Sequence, residues 1–400
     1  MLDQVTRAGA FRNILPNLRG FLGDSAALAV GLTFAADSLM FGGWVTQIPF
    51  VKTRLGLDDA ELGLALFGMP VGLLMMNPFA AWFLQRFGLV RTTVGSAVLM
   101  AISFVLPLWM ADRLSLFLAL GCTGAAVALL NIGMNTCATN IEEVRGKKIM
   151  SSCHGMWSLG GMVGSAWAAL MIRMGYFPPY FLTVQALLLV VVVLVWLAPA
   201  LARVPEVRQE EQAGSRFAFP KGDLLLMILI GACASLCEGV AFDWSAVYLR
   251  DVLGAPDQVA ALGFSFFSML MMAMRFSGDA LIPYFGERKL LYFTVLFSVF
   301  SIGIIVLSPV VGVGILGFGM LGMGVALAAP ILFNAAARVP GFASGAGLAS
   351  YATFSFIGFL AGPPAIGFLG EQFSLSHGFV VVAALTLTTL LAVRKVGYLR

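Results

Sequence analysis

A dozen stretches of about 20 predominantly apolar residues follow one another along this chain, and that succession narrows the choice of fold more than any other feature. A bilayer core about 30 Å thick takes roughly 20 apolar residues per helical span. Hydrocarbon offers backbone N–H and C=O groups no partners, so only helices or a closed barrel can cross it. Unbroken apolar runs such as Leu187 to Leu197 lack the alternation of a barrel strand. Helices remain. Only 11% of residues are charged, against roughly 25% in soluble domains, which leaves no room for a sizeable soluble domain. The expected class is an all-α membrane protein.

The spans are expected near 25–50, 60–85, 91–110, 114–140, 149–172, 179–200, 223–249, 258–284, 289–308, 311–336, 343–369 and 374–394. The widest polar interval, 201–222, divides them six and six. This gives an N-terminal segment 1–24, a bundle 25–200, a linker 201–222 and a bundle 223–400. If both termini share one side, that side carries eighteen of the 24 Lys and Arg and the other carries five, with Arg275 inside the eighth span. The positive-inside rule then places the termini and linker in the cytoplasm, as expected of a bacterial inner membrane. The net charge of +4 resides in loops, so it speaks to orientation and not to nucleic acid. Residues 1–24 are polar and basic, and no cleavable signal is expected. Cys122, Cys137, Cys153, Cys233 and Cys237 fall within spans without a Cys-x-x-Cys, and read as packing residues and not metal ligands.

The halves repeat. Phe87-Gly88 before Arg91 matches Phe285-Gly286 before Arg288 and Lys289 at an offset of 198, and Gly160 and Gly164 match Gly358 and Gly362 at the same offset. Trp44 and Trp244 occupy like positions, and Asn135 falls opposite Asn334. Parallel six-span repeats with a site between them near the midplane are the arrangement of the major facilitator fold. Three segments also carry a more specific likeness. Glu238-Gly-Val-Ala-Phe-Asp243-Trp244, followed by Arg275-Phe-Ser-Gly278-Asp279, resembles a fucose-permease-related branch of that superfamily, as does Ser152-Cys-His154-Gly-Met-Trp-Ser-Leu-Gly-Gly. The resemblance covers the whole chain. It implies movement of a small solute, proton-driven or facilitated, by rocking of two pseudo-symmetric six-helix bundles. The superfamily's Gly-x-x-x-Asp-Arg-x-Gly signature is degraded: Ala81, Gln85, Arg86 and Gly88 stand there in the first half, and the second keeps Gly278-Asp279 without the Arg.

A charge at the bilayer centre costs roughly 2.5–3.5 kcal/mol on insertion scales, so each needs a reason. Asp37 and Glu238 lie near the middle of the first and seventh spans and are expected to face each other across a water-filled cavity as proton-coupling groups, although pairing that merely joins helices would also explain them. His154 is a third proton-relay candidate. Asn131 and Asn135, one turn apart, with Asn334 are candidate solute ligands or interhelical glue. Trp44, Gln47, Asp243 and Trp244 are candidates for the outer half of the cavity, or simple packing. Arg86, Gly88 and Gly286, with an Arg275–Asp279 pair at i, i+4, are read as gating latches. Gly312-Val-Gly314-Ile-Leu-Gly317 matches a dinucleotide fingerprint in letters only, because no strand precedes it; its glycines read as close helix approach. Pro363-Pro364 is expected to break the eleventh helix.

The chain therefore reads as a monomeric secondary transporter without cofactor, most simply a proton symporter of a polar or sugar-like solute. An exporter of amphipathic or toxic compounds is the alternative, and a non-transporting sensor a third. No catalytic constellation supports an enzyme.

Overall fold

The computed structural model describes residues 19–146, 148–207, 220–339 and 346–399, without the side chains of Asp279, Ala346, Leu348 and Ala349. Among them are twelve helical spans, named here α1 (Ser25–Leu55), α2 (Asp59–Phe87), α3 (Leu89–Trp109), α4 (Arg113–Arg145), α5 (Met150–Arg173), α6 (Pro178–Leu201), α7 (Asp223–Val252), α8 (Asp257–Gly278), α9 (Glu287–Leu307), α10 (Val311–Ala336), α11 (Ser350–Gln372) and α12 (Leu375–Lys395). No strand occurs among the described residues. Arg7, Arg12, Lys147, Arg208, Arg216 and Arg400, counted above for orientation, lie outside them, as do most of segment 1–24 and of the linker.

Local chemistry sets the helix ends. The Asp24 carboxylate accepts from the amides of Ala26 (3.1 Å) and Ala27 (3.2 Å) and so caps α1. It also meets Arg145 at the end of α4. Burial pushes its carboxyl up, but the Arg145 guanidinium and the two amides outweigh that and hold it below the ordinary carboxylate range. Asp58 with Glu61, and Asp112 with Ser115, form capping boxes at the starts of α2 and α4. Glu142 accepts from the Ile149 and Met150 amides where α5 begins.

The repeat is visible in the backbone. Gly88 (φ 83°) and Gly286 (φ 85°) make the same turn after α2 and after the helix that continues α8, and Gly56 (φ 63°) and Gly254 (φ 70°) are likewise 198 residues apart. The helix seams repeat too. A Cβ on Gly160 would overlap the Ala35 carbonyl oxygen, seating α5 against α1, and one on Gly358 would overlap the Ala232 carbonyl oxygen, seating α11 against α7. Without a hydrophobic drive between helices in lipid, such backbone contact is what holds them together. Two expectations fail. Gly312 has open space around it, and only Gly314 and Gly317 approach neighbours. Pro363 and Pro364 sit inside the continuous helix Ile357–Gln372; the break in α11 falls at Phe356 instead.

The two lobes are clasped at the end away from the termini. Lys52 Nζ of α1 pairs with Asp59 (2.5 Å) and, across the lobes, with Asp251 (2.8 Å). Arg250, the repeat partner of Lys52, reaches back to the Thr53 hydroxyl (2.9 Å) and the Pro49 carbonyl (2.6 Å). The clasp thus obeys the pseudo-two-fold of the fold: each homologous cation holds the opposite lobe. Nearby, α2 and α11 press backbone to backbone at Gly63 and Gly367. The α5–α8 seam is tied by Ser165, which donates to the Ala261 carbonyl and accepts from Ser265, both at 2.8 Å.

Gly160→Val should lower stability by about 1–3 kcal/mol through overpacking, whereas Gly95→Ala, where nothing lies nearby, should be neutral; thermal unfolding in one detergent compares them. Removing the clasp in a Lys52→Ala, Arg250→Ala protein should populate a separated far end. Spin labels at Leu55 and Val252 would then report a second, longer distance, and an unchanged distribution would deny the clasp its role.

Candidate functional site

The two midplane acids do not face each other across open space, as the sequence suggested; two side chains fill the interval. Asp37 on α1 is only 4% exposed, and its Oδ2 accepts from Trp157 Nε1 of α5 at 2.9 Å. Its other oxygen, Oδ1, is buried without a hydrogen-bond partner. The guanidinium of Arg275 on α8 lies 5.9 Å from the centroid of the Trp157 ring, within cation–π range. Arg275 Nη1 donates to Ser158 Oγ at 3.1 Å, and Nη2 stands 3.9 Å from Glu238 Oε1 on α7. The sequence Asp37, Trp157, Arg275, Glu238 therefore crosses from one lobe to the other.

One helical turn toward the clasp, a cluster of rings closes over this chain. Phe41 follows Asp37 by four residues and Phe242 follows Glu238 by four, so each acid carries a ring on its own face. The two rings meet in T-shape at 5.1 Å across the lobes. Phe242 also packs on Trp157 (5.9 Å), Phe264 (5.6 Å), Phe267 (5.6 Å) and Phe359 (5.8 Å). On the termini side of these rings lies a cavity of about 150 Å³ lined by α7, α10 and α11, including Ser235, Glu238, Phe333, Tyr351, Ser355 and Phe359. Glu238 lines it; Asp37 does not. The cavity belongs to the C-terminal lobe, because Trp157 and Arg275 occupy the space next to Asp37.

The other candidates are spread along the spans. His154 sits one turn from Ser158 on α5, half-buried, its ring edge-on to Phe34 at 5.3 Å. Asn135 Nδ2 donates to the Asn131 carbonyl (2.7 Å) and Oδ1 (3.1 Å), so the pair is satisfied within α4. Asn131 and Asn334 are exposed. Trp44 and Trp244 are buried in the core at 2% and 0% exposure, and Gln47 is fully buried, donating to Thr46 Oγ1 at 3.0 Å. At this closed far end they are packed, and the cavity beside Glu238 does not include them. Asp243 is half-buried on α7 and forms no hydrogen bond among the described residues. Arg86 ends α2 with its guanidinium 5.9 Å from the Phe87 centroid. The Arg275–Asp279 latch requires a side chain outside the described residues, while Arg275 itself is engaged by α5 and α7 and not free at a helix end. Reading the sequence missed Trp157, Ser158 and the ring cluster as site residues; the acid-x-x-x-Phe spacing common to both halves was the available signal.

Trp157→Phe removes one N–H and keeps the ring. It should leave the Asp37 carboxyl wholly unpaired and cost about 1–3 kcal/mol. In a double-mutant cycle with Asp37→Asn, unfolding midpoints should give a coupling energy above about 0.5 kcal/mol; additivity would remove the bond from the energetics.

Comparison with known proteins agrees with the architecture. The profile of the Major Facilitator Superfamily matches residues 27–347. An uncharacterised MFS-type transporter of Yersinia pestis is 30% identical over 94% of this chain and 96% of its own length. The membrane protein MosC of Rhizobium meliloti is 29% identical over 89% and 86% respectively. Among solved structures, a mutant of the nucleoside transporter NupG superposes with a TM-score of 0.76 at 11% identity, covering 92% of this chain and 99% of that one. A D-xylose–proton symporter does so with 0.71 at 14%, covering 93% and 98%. The chain belongs to the Major Facilitator Superfamily and is a multi-pass membrane transporter, not an enzyme.

Proposed function

We propose that the protein is a proton-coupled secondary carrier that moves a small solute by alternating access, with Asp37 as the proton-carrying group and Glu238 at the solute cavity. The observation that carries this reading is the chain Asp37–Trp157–Arg275–Glu238, which joins the lobes at the midplane. A carboxyl with one oxygen held by an indole and the other buried and unpaired has a place for a proton. Arg275, loosely placed at 3.9 Å from Glu238, links the solute side of that chain to the proton side. A solute that engages Glu238 alters the field at Arg275, and through it the environment of Asp37.

With the termini in the cytoplasm of a bacterium, as the Lys and Arg distribution argues, the clasp and ring cluster seal the outer side and the cavity lies on the cytoplasmic side. The conformation is then inward-facing. The membrane potential contributes about 2.3 kcal/mol per charge per 100 mV to any cycle that moves a proton inward. Symport of a polar solute, with the protein acting as a monomer, follows most simply from this arrangement. A D-xylose–proton symporter and a nucleoside transporter share the fold, which shows that it can house such chemistry without assigning it here.

Export of amphipathic compounds is the second reading, favoured by the alanine and ring walls of the cavity. Everted vesicles separate the two by the direction of solute-driven proton flux. Asp37→Asn should abolish uphill accumulation in proteoliposomes while solute exchange stays measurable; retained accumulation would take the coupling role from Asp37.

A further inference from the structure

The cavity presents an uneven set of partners. Of its twelve lining residues Glu238 is the single charged one. Its carboxylate forms no hydrogen bond among the described residues: Arg275 Nη2 stands at 3.9 Å, beyond hydrogen-bond reach, and Arg275 Nη1 is engaged by Ser158. The remaining walls are mostly alanine, glycine and rings. Phe333 meets Tyr351 edge-on at 4.9 Å, Phe356 lies 5.6 Å from Phe359, and Phe359 stacks on Phe242.

A carboxylate with open acceptor positions calls for a donor, and an ionised acceptor makes the stronger bond when the donor is charged as well. Ring faces attract a cation by their quadrupole. A fully hydroxylated ring fits less well: Ser235, Tyr351 and Ser355 offer it three hydroxyls, but its remaining hydroxyls would face alanine and phenylalanine and lose the partners that water gives them. A molecule with one cationic pole and an apolar body loses nothing there. The volume of about 150 Å³ limits the body to a small one.

We propose that this cavity takes a compact organic ammonium, its N–H groups on Glu238 and its body against Phe356 and Phe359, and that such an amine is the transported solute. The second half of that statement rests on the carrier reading above; the first does not. An ammonium on Glu238 replaces the loose Arg275 contact, so arrival of the solute is felt by the guanidinium that lies over Trp157.

The test is binding to the purified full-length chain in nanodiscs at neutral pH, by titration calorimetry. Cyclohexylamine and benzylamine are compared with their neutral counterparts cyclohexanol and benzyl alcohol, and with glucose. Each amine should bind about ten-fold or more tightly than its alcohol, and Glu238→Gln should erase that preference. Phe359→Leu keeps bulk but removes a ring face. It should weaken the amines several-fold and leave the alcohols unchanged, a readout that does not require the Glu238 variant to fold. Equal affinity of amine and alcohol, tighter binding of glucose, or no binding of either amine overturns the proposal. Asp37-dependent uptake of a neutral solute alongside any of those results leaves the carrier standing and removes only the amine. Amine binding without translocation keeps the site and overturns the amine as the transported solute.

Discussion

Hydrocarbon supplies no hydrogen bonds, and the centre of this protein is organised by that lack. Two carboxyl groups and a guanidinium, each expensive in a bilayer, are drawn to one depth and joined there. The indole of Trp157 makes the connection possible: its N–H serves Asp37 while its face receives Arg275. Because α1 and α5 belong to one lobe and α7 and α8 to the other, satisfying these groups also binds the lobes at the midplane. On the proposed carrier reading, movement of one lobe against the other has to reorganise polar contacts and not merely slide apolar surfaces.

Around that centre the packing follows a rule that the duplication makes visible. Gly160 and Gly358 bring α5 to α1 and α11 to α7 through the same backbone contact, and paired positive-φ glycines turn the chain at equal points in each lobe. Each lobe is thus a tightly seamed body. The joints between lobes are more varied: the ionic far-end clasp, the hydroxyl tie of α5 to α8, the rings around Phe242 and the glycine contact of α2 with α11. Such a division of labour suits a machine whose parts stay whole while their relation changes.

Much of this was legible beforehand. Apolar length alone located all twelve spans, and the tenth ended at Ala336 as expected, because a bilayer imposes a length on every crossing. The repeat located Asp37 and Glu238 at matching depth. What could not be read was what stands between them. Arg275, four residues before an acid on its own helix, suggested a local pair; the side chain of that acid lies outside the described residues, and helical spacing did not announce that Arg275 meets Glu238, Ser158 and Trp157. Helical spacing shows which residues share a face and not which neighbour that face meets. Trp44 and Trp244 were open for a similar reason: an aromatic at that depth can line a passage or close it, and here both are buried at a closed end. Likewise Pro363 and Pro364 remain helical, since in a membrane neighbouring groups can re-satisfy the freed carbonyls.

The pseudo-symmetric clasp has one break in its symmetry: where the C-terminal lobe offers Asp251, the N-terminal lobe offers Thr53. One cross-lobe contact is therefore ionic and its twin neutral. At 2.8 Å, with side-chain exposures of 15% and 28%, the Lys52–Asp251 contact lies well inside the screening length of about 8 Å at physiological strength and is little weakened by salt. Arg250 also pairs with Asp251 at 2.6 Å, so that one carboxylate meets both homologous cations. Asp251 therefore stands where both arms of the clasp meet, so a change at that one carboxylate is felt by each homologous cation.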